Sequence, residues 1–391
     1  MSVGIVSSVL FSLLVLFMRR RRDDDAVGDL PPISVLKPFD GVDPGLEGNF
    51  WSYLSAPYPA KREVLFCTAR DNDEGIAVVE RLLARLEQEP QPGVTARLLL
   101  PEPDEEPWVT RKVWHMARGF AAARHDVIVN GDSGTRLEAE TLVALVRTLL
   151  ADPQRGGAWA SYTVEGGDSL GVRLTRAAWT ATTNSFFVID ALHRVIGKPP
   201  LLAGGLFAAR RAAVEQLDGF AALDGLLTED LDVGRRMHAV GWAVEVSPVP
   251  VVRYLPELSW SGFVARQQRW NVILWRFREP LRWPYPLTMC GLAIAPVTAV
   301  FASLAFPERT GEYVTALGAL YVARALYALV LTGLAGRRLR LDVLALLPIL
   351  DAVFLVTWLR GPFIRHIAWR DTRLRVGRAG RVTRIEERSA A

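Results

Sequence analysis

The sequence of 391 residues contains only two cysteines, Cys67 and Cys290. One falls in a predicted strand and the other in a predicted apolar segment, so they provide neither a disulfide framework nor a metal site. No zinc-finger, homeodomain or RNA-recognition pattern is present, and the net charge of +4 is modest. These absences exclude a small disulfide-stabilised domain and argue against nucleic acid as a partner.

Apolar residues are the main excess of this chain. They make up 50% of it, give a mean hydropathy of +0.17, and gather toward its two ends. Tryptophan is abundant, at 12 residues, and several lie beside apolar segments, where an amphipathic ring suits a membrane boundary. The basic residues are overwhelmingly arginine and flank the same segments. This pattern predicts contact with a lipid bilayer.

Residues 1–30 are predicted to form a membrane anchor followed by a basic linker. Val3–Met18 carries no charge, and Arg19–Arg22 follow at once. A cleavable signal peptide places its positive charge before the apolar run, whereas here the run comes first. We therefore expect an anchor with its amino terminus outside, and the alternative is an amphipathic surface helix.

Residues 31–256 alternate between apolar strands and helical patterns, which predicts an α/β domain with a mostly parallel sheet. The predicted strands begin at Ile33, Glu63, Ala96, Asp126 and Gly157, and the last of them runs to Tyr162. The predicted helices between them cover Gly75–Gln88, Lys112–Ala123 and Glu138–Ala151. Ligands of such sheets bind beyond the carboxyl ends of the strands, so we expect the functional residues at that edge.

The chain changes character after residue 256. Residues 257–285 are predicted to form an amphipathic helix, with aromatic side chains on one face and arginines on another. Such a helix suits a lipid interface, and the alternative is a helix packed on the sheet with its arginines in water. Residues 286–370 are predicted to hold membrane segments. Leu287–Phe306 and Tyr313–Ala335 each reach the length of about 20 residues that spans a bilayer.

A third apolar segment, Leu341–Leu359, contains Pro348 and Asp351. If it spanned the membrane, the basic tail at residues 371–391 would lie on the side opposite Arg19–Arg22. The positive-inside rule disfavours that arrangement. We therefore expect a re-entrant or broken segment covered by protein, and a tail on the cytosolic side.

Two acidic turns follow predicted strands. Asp73 lies in the turn after Cys67, where a carboxylate is able to accept hydrogen bonds from a uracil or ribose. The alternative is an ordinary solvated turn or a helix N-cap. Asp132 follows the strand that ends at Asn130, and a carboxylate there is well placed to hold a divalent cation against a diphosphate. Its alternative is an Asx turn closed by Gly134.

Two further motifs lie on predicted helices. Thr228-Glu229-Asp230 opens one helix, where a capping threonine and acids in the first turn are stabilising without any catalysis. Arg266-Gln267-Gln268-Arg269-Trp270 lies on the amphipathic helix, where a basic pair beside an indole could contact phosphates. Taken alone, this second motif is typical of the solvent-exposed face of a helix. Only the combination of the four motifs favours an active site.

The four motifs belong to a longer ordered set that covers nearly the whole chain after residue 30. Its other members are Ser34-Val35-Leu36-Lys37-Pro38, Gly41-Val42-Asp43-Pro44, Tyr58-Pro59, Glu63-Val64-Leu65, Gly241-Trp242, Ala368-Trp369-Arg370 and Leu374-Arg375-Val376. Together they resemble the ceramide glucosyltransferase family, which is glycosyltransferase family 21 among the inverting GT-A enzymes. The resemblance implies a GT-A domain for nucleotide-diphospho-sugars, flanked by transmembrane or interfacial helices at both ends.

The resemblance also implies roles for individual residues. Binding of the nucleotide-sugar donor is assigned to Lys37, Asp73, Lys112 and Asp132, and a divalent metal, Mg²⁺ or Mn²⁺, to Asp132. Catalysis is assigned to Asp230 as general base and to Arg266, Arg269 and Trp270. Several positions depart from the family pattern, and the metal site is one of them: many relatives have Asp-x-Asp there, whereas Gly134 takes the last place here. This leaves the metal with fewer protein ligands.

The expected reaction is transfer of one sugar from a UDP-sugar, with UDP-glucose as the expected donor, to a membrane lipid hydroxyl. A ceramide-like lipid or a hopanoid is the expected acceptor, and composition favours a bacterial inner membrane with the catalytic domain in the cytosol. One alternative is a processive polysaccharide synthase, which shares the acidic residues but usually has glutamine in place of Arg266 and more spans. The other is a scaffold without activity, which the intact Asp73, Asp132 and Asp230 argue against.

Overall fold

The computed structural model describes residues 28–102, 108–182, 186–276, 282–283, 285–334, 337–369, 372–377 and 380–384. The apolar run of the predicted amino-terminal anchor lies outside these ranges. The described residues form two compact units, a first of residues 28–166 and 192–256, and a second of residues 167–191 and 257–384. The catalytic domain over 31–256 stays a prediction; of its residues, 167–191 are grouped with the second unit.

The elements are numbered in chain order. The strands are β1 Ile33–Pro38, β2 Arg62–Cys67, β3 Val94–Leu99, β4 Val127–Gly131, β5 Thr135–Arg136, β6 Arg155–Trp159, β7 Tyr162–Gly166, β8 Leu206–Arg210, β9 Ala243–Val246, β10 Val251–Leu255, β11 His366–Trp369, β12 Thr372–Val376 and β13 Val382–Arg384. The α-helices are α1 Leu46–Ser55, α2 Gly75–Gln88, α3 Arg111–Ala122, α4 Thr141–Leu150, α5 Leu170–Thr180, α6 Phe186–Val195, α7 Arg211–Glu215, α8 Glu229–Ala239, α9 Trp260–Arg276, α10 Tyr285–Met289, α11 Gly291–Ala305, α12 Thr310–Leu334 and α13 Leu341–Arg360.

The first unit is built on a sheet with the strand order β3-β2-β1-β4-β8-β6-β9. Neighbours among β3, β2, β1 and β4 run parallel, β8 runs antiparallel to β4 and β6, and β9 runs parallel to β6. The strands β1, β2 and β4 are buried along their whole length, which is why their sequences are nearly continuous apolar runs. The predicted α/β class with a mostly parallel sheet is confirmed.

The predicted strand Gly157–Tyr162 is in fact two strands that belong to different sheets. β6 lies in the central sheet, whereas β7 lies in a small sheet with the order β5-β10-β7. Between them, the backbone N–H of Ala160 donates to the carbonyl of Leu206 at 2.9 Å, and Ser161 accepts a hydrogen bond from the next sheet. The chain therefore changes partners within two residues, which a continuous apolar run in the sequence does not reveal.

Helices cover the central sheet on both faces. Large buried side chains of α1, α2 and α4, among them Phe50, Leu82 and Leu145, pack on one face. On the other face α3 lies so close that a Cβ on Gly119 would be 2.9 Å from the side chain of Leu36. Because β1, β2 and β4 are parallel, their carboxyl ends meet at one edge of the sheet. This edge, which Asp132 follows directly, is where the candidate site lies.

The second unit contains long apolar helices. Pro307–Gly333 and Leu341–Phe363 are long and apolar enough to cross a membrane. The first predicted span is shorter than expected, because α11 has 15 residues. Large apolar side chains on these helices are more than half exposed, among them Phe301, Leu304, Leu326, Leu341 and Phe363.

The third apolar segment is a continuous helix, α13, so the broken alternative of the prediction is wrong, and the re-entrant alternative stays a prediction. Pro348 lies inside this helix without interrupting it. Asp351 is fully buried, and its two oxygens accept hydrogen bonds from Arg324 at 2.7 Å and from the backbone N–H of Leu292 at 2.8 Å. Partners from neighbouring helices thus satisfy the buried carboxylate, and the backbone of its own helix has no need to open.

The predicted amphipathic helix is α9, and it packs within the second unit. Its buried side chains include Phe263, Gln267 and Asn271. The amide of Asn271 donates to the hydroxyl of Thr357 on α13 at 2.9 Å. The end of the predicted helix, from residue 277 to 281, lies outside the described ranges. Within the predicted basic tail, β12 and β13 form an antiparallel sheet together with the preceding strand β11.

Candidate active site

Asp132 begins a tight turn directly after β4. Its backbone N–H donates to the carbonyl of Gly205 at 2.9 Å, and its carbonyl accepts the N–H of Thr135 at 3.0 Å. The first bond ties the turn to the residues that precede β8. The carboxylate of Asp132 is 27% exposed, so a ligand at this edge of the sheet is able to reach it.

Lys112 joins Asp132 to a second carboxylate, that of Glu229. Its Nζ lies 3.0 Å from Oδ1 of Asp132 and 2.6 Å from Oε1 of Glu229. Burial opposes the charge on Lys112, but these carboxylates outweigh burial and hold its pKa well above the ordinary value. The structure thus brings together Lys112 and Asp132, both predicted from the sequence. It adds Glu229, to which the sequence analysis assigned only a stabilising charge in the first turn of its helix.

Asp230 lies in the first turn of α8, beside Glu229. Its two carboxylate oxygens accept hydrogen bonds from the backbone N–H of Gly204 at 2.7 Å and of Leu231 at 2.9 Å. Burial and the charge of Glu229 raise the pKa of Asp230 to about 7, although Lys112 and the two N–H groups act in the opposite direction. A carboxylate that titrates near neutral pH has the proton affinity that suits a general base. Its role as that base stays a prediction.

A glycine pair before β8, Gly204-Gly205, makes room for this arrangement. A Cβ on Gly204 would lie 2.7 Å from Oδ2 of Asp230, and a Cβ on Gly205 would overlap the ring of Tyr162. Burial and the charges of Asp132 and Asp230 raise the pKa of the Tyr162 hydroxyl, which therefore stays protonated. The sequence analysis missed these three residues. Two adjacent glycines at the start of a strand were the signal available, because they mark a close approach of other groups to the backbone.

Asp73 ties together the loops that follow β1 and β2. Its side chain is buried and accepts hydrogen bonds from the backbone N–H of Gly41, at 3.0 and 2.8 Å, and of Gly75, at 2.8 Å. Arg70 pairs with it at 3.0 Å. Burial opposes the charge of Asp73, but these donors lower its pKa below the ordinary value. The carboxylate thus shapes the loops at this edge, and direct binding of a nucleotide by Asp73 stays a prediction.

Lys37 lies inside the protein, under the Asp132 turn. Its Nζ donates to the carbonyl of Asp132 at 2.5 Å and lies 3.6 Å from the centre of the Tyr53 ring. Burial lowers the pKa of Lys37 well below the ordinary value, with Asp132 acting in the opposite direction. The side chain is fully buried, so its contacts support the turn from inside. A direct contact of Lys37 with the nucleotide-sugar stays a prediction.

The arginine–tryptophan motif lies on α9, in the second unit. The guanidinium of Arg266 is 5.8 Å from the centre of the Trp179 ring, a cation–π distance within the same unit. Arg269 and Trp270 lie on the same helix and are partly exposed. The catalytic role of Arg266, Arg269 and Trp270 stays a prediction.

The residues of the site fit a metal only in part. Within the described ranges, no group of three or more histidine, cysteine, aspartate or glutamate side chains is arranged to hold an ion. Asp132 offers one exposed carboxylate, and Mg²⁺ is commonly bound by one or two carboxylates together with substrate phosphates. Asp132 therefore fits a cation that is shared with a bound diphosphate, as the glycine at position 134 led us to expect.

Comparison with known proteins finds one family model that matches nearly the whole chain and several relatives that match part of it. The model of Glycosyl transferase family 21 matches residues 1–382. Similar proteins include ceramide glucosyltransferase 3 of Caenorhabditis elegans, which is 22% identical over 241 residues, 62% of this chain and 50% of that protein. Ceramide glucosyltransferase of Komagataella phaffii is 32% identical over 99 residues, 25% of this chain and 18% of that protein. The chain thus spans half the length, or less, of these relatives.

Two solved structures are also similar. One is mannosyltransferase PcManGT from Pyrobaculum calidifontis in complex with GDP-Man and Mn²⁺, with a TM-score of 0.47 and 17% identity over 93% of this chain and 98% of that one. The other is S. aureus TarS 1–349, with a TM-score of 0.41 and 12% identity over 91% of this chain and 99% of that one.

Proposed function

The chain belongs to glycosyl transferase family 21, and from this membership we propose that it moves one sugar from a nucleotide-diphosphate donor to the hydroxyl of a membrane lipid. The glycosyltransferase class and the GT-A domain predicted from the sequence are confirmed. A single displacement at the anomeric carbon inverts its configuration, and no covalent intermediate with the protein is required.

One observation supports this proposal above the others: Lys112, Asp132, Glu229 and Asp230 converge at the carboxyl edge of the sheet. A departing diphosphate needs positive charge, and an attacking hydroxyl needs a base. Lys112 provides the first and Asp230 the second. Asp132 is the residue that would hold a divalent cation, which when bound neutralises charge on the diphosphate.

Asp230 has the properties of the base that takes the proton of the acceptor hydroxyl. Its pKa of about 7 keeps a large fraction ionised at neutral pH while leaving useful proton affinity. The N–H of Gly204 fixes the orientation of the carboxylate, which leaves less reorganisation for the reaction. Arg266, Arg269 and Trp270 are proposed to assist the donor phosphates, on the strength of the family motif.

The acceptor is proposed to come from the bilayer. The exposed apolar side chains on α11, α12 and α13 favour contact with lipid, and two segments have the length to span it. Moving a long-chain lipid into water would cost about 0.8 kcal/mol for each exposed CH₂ group. The similar proteins of Caenorhabditis elegans and Komagataella phaffii are ceramide glucosyltransferases, so UDP-glucose and a ceramide-like lipid are the proposed pair.

The test is transfer by the purified full chain in detergent. Labelled UDP-glucose is offered with total membrane lipid in one reaction and with soluble oligosaccharides in another. We expect label in the organic phase, in a product that carries one sugar. The Asp230→Asn variant is the matched control, because it keeps the shape of the side chain and removes its basicity.

Long water-soluble polymer as the only labelled product would contradict the proposal and favour the polysaccharide synthase. Absence of transfer and of donor hydrolysis with a panel of nucleotide-sugars would favour a protein without activity. Metal dependence is tested in the same assay: Asp132→Ala should weaken donor binding and move the metal titration to higher concentration. Coincident metal titrations of the parent and Asp132→Ala would leave Asp132 as a turn residue.

A further inference from the structure

Arg253 lies over the turn that Asp132 begins. It is on β10, whose antiparallel partner is β5, and the register places Arg253 opposite Thr135. The N–H of the next residue, Tyr254, donates to the carbonyl of Gly134 at 3.1 Å, which fixes β10 against the turn. The backbone of Arg253 is therefore held beside Gly134 and Thr135, which follow Asp132 in the turn.

Gly134 leaves the space that the guanidinium of Arg253 fills. A Cβ built on Gly134 would overlap Cζ of Arg253 and lie 2.6 and 2.7 Å from two of its nitrogens. Gly134 is not among the glycines with positive φ, so its backbone conformation is open to other residues. The close approach of the arginine is thus the reason for glycine here. Where many relatives carry a second acid, this chain places a positive charge.

The guanidinium has no counter-ion within the part of the chain that the structure describes. Its Nε is buried and makes no hydrogen bond there. The nearby acids are engaged elsewhere: Asp132 pairs with Lys112, and Asp43 accepts a hydrogen bond from Ser133 at 2.5 Å. A second cation, Lys37, lies close enough for Arg253 to lower its pKa further, beyond the larger effect of burial. A buried donor without a partner is unfavourable unless a ligand satisfies it.

We propose that Arg253 binds the diphosphate of the nucleotide-sugar donor and that glycine at position 134 leaves the space that the guanidinium needs. This inference rests on the proposed function. Guanidinium presents a planar fork of N–H donors that matches phosphate oxygens, and it is never deprotonated in proteins. Arg253 therefore adds a permanent positive charge on the side of the Asp132 turn where a second acidic metal ligand is lacking.

Binding of UDP to the detergent-purified full chain tests the proposal, with uridine as the probe that lacks phosphates. Arg253→Met should raise the Kd for UDP about tenfold to a hundredfold, the effect of losing a charged hydrogen bond. The constant for uridine, measured by displacement of labelled UDP, should stay within about twofold. Arg253→Lys should recover part of the loss, because it restores the charge without the fork.

Arg147→Met is the matched control, since it removes an exposed arginine from α4 of the same unit. Equal UDP affinity in Arg253→Met and Arg147→Met would overturn the inference while leaving the proposed function intact. A parent protein that binds neither UDP nor GDP would overturn both. Loss of uridine affinity equal to that of UDP would also overturn it, because the contact would then lie outside the phosphates.

Gly134→Ala provides a second route that keeps the arginine. Its methyl group displaces the guanidinium, so UDP binding should weaken several-fold while uridine is unaffected. If both variants act on one contact, the double variant Gly134→Ala/Arg253→Met should bind UDP no worse than Arg253→Met alone. Fully additive losses would show that Gly134 and Arg253 act independently, and the stated reason for the glycine would fall.

Discussion

Each of the two units contains a basic side chain that touches an acidic one, and the two pairs differ in how completely they are enclosed. Arg324 and Asp351 in the second unit have side chains exposed by only 4% and 0%. Lys112 and Asp132 in the first unit are exposed by 19% and 27%, and Glu229 shares the same ammonium. The first pair is closed to ligands, and the second is open.

We take this difference in enclosure to distinguish a structural ion pair from the pair to which we assign a function. Asp351 also accepts the N–H of Leu292, so both of its oxygens have protein partners and nothing further is needed. Asp132 keeps part of its carboxylate exposed at the sheet edge where ligands of such folds bind. Damage to the closed pair should therefore affect folding, and damage to the open cluster should affect chemistry.

The largest expected effect comes from breaking the closed pair. Arg324→Met leaves the Asp351 carboxylate buried without its cation, which typically costs about 3–5 kcal/mol. We expect a clear drop in the midpoint of thermal unfolding in detergent, while protein that remains folded keeps its kcat. The matched control is Arg309→Met, which breaks the exposed pair with Glu312 and should leave the midpoint nearly unchanged. Equal midpoints for the two variants would contradict the structural role of Arg324.

The next largest effect is expected in the open cluster, from substitution of Asp230, the proposed general base. Asp230→Asn keeps the shape of the side chain and removes its proton affinity, so kcat should fall by about a hundredfold or more. Binding of the nucleotide-sugar should survive, because the role proposed for Asp230 is on the acceptor. The measurement is single-turnover transfer with saturating donor, alongside Kd for that donor. Unchanged turnover would remove Asp230 from the mechanism, and lost donor binding would assign it to the wrong substrate.

A smaller effect is expected from the cation of the open cluster. Lys112→Met removes the positive charge from the proposed diphosphate site and from between the carboxylates of Asp132 and Glu229. We expect kcat/KM to fall about tenfold to a hundredfold, with partial recovery in Lys112→Arg. The unfolding midpoint should move much less than in Arg324→Met. A variant that unfolds early but keeps normal kcat/KM would place Lys112 in the structural class and erase the contrast between the two pairs.

The sequence was sufficient to locate the central strands of the first unit. Their apolar runs reflect burial on both faces, and α2 has the predicted bounds, Gly75–Gln88, because its apolar spacing is regular. The switch between sheets after Trp159 was missed, since it depends on pairing with β8 and β10, far along the chain. The continuity of α13 was also missed. A charged Asp351 in an apolar segment suggests an interrupted helix, unless its partner Arg324, on another helix, is known.

The candidate site shows the same limit. Asp132 and Asp230 were found because each sits in a motif of a few adjacent residues, whereas Lys112 was assigned only by its position in the resemblance to the family. Glu229 and Arg253 were not, because their significance lies in contacts with residues about a hundred positions away in the sequence. A glycine is equally ambiguous: Gly134 appeared in the sequence as a lost ligand, and only the structure shows an arginine in the space it leaves.

The smallest expected effect, and the most direct probe of the open cluster, is the pH dependence of transfer. Burial and Glu229 raise the pKa of Asp230 to about 7, so the fraction of ionised base falls as the pH drops through that value. A general base must be ionised to accept a proton, so kcat/KM should rise from pH 6 to a plateau above pH 8, by about tenfold. The residual activity of Asp230→Asn should lack this rise, which separates the base from other titrating groups. Substitution in the closed pair should leave the pH profile unchanged: the folded fraction of Arg324→Met should show the same rise in kcat/KM as the parent. A parent profile that is flat from pH 6 to 8, or that falls toward alkaline pH, would exclude Asp230 as the titrating base.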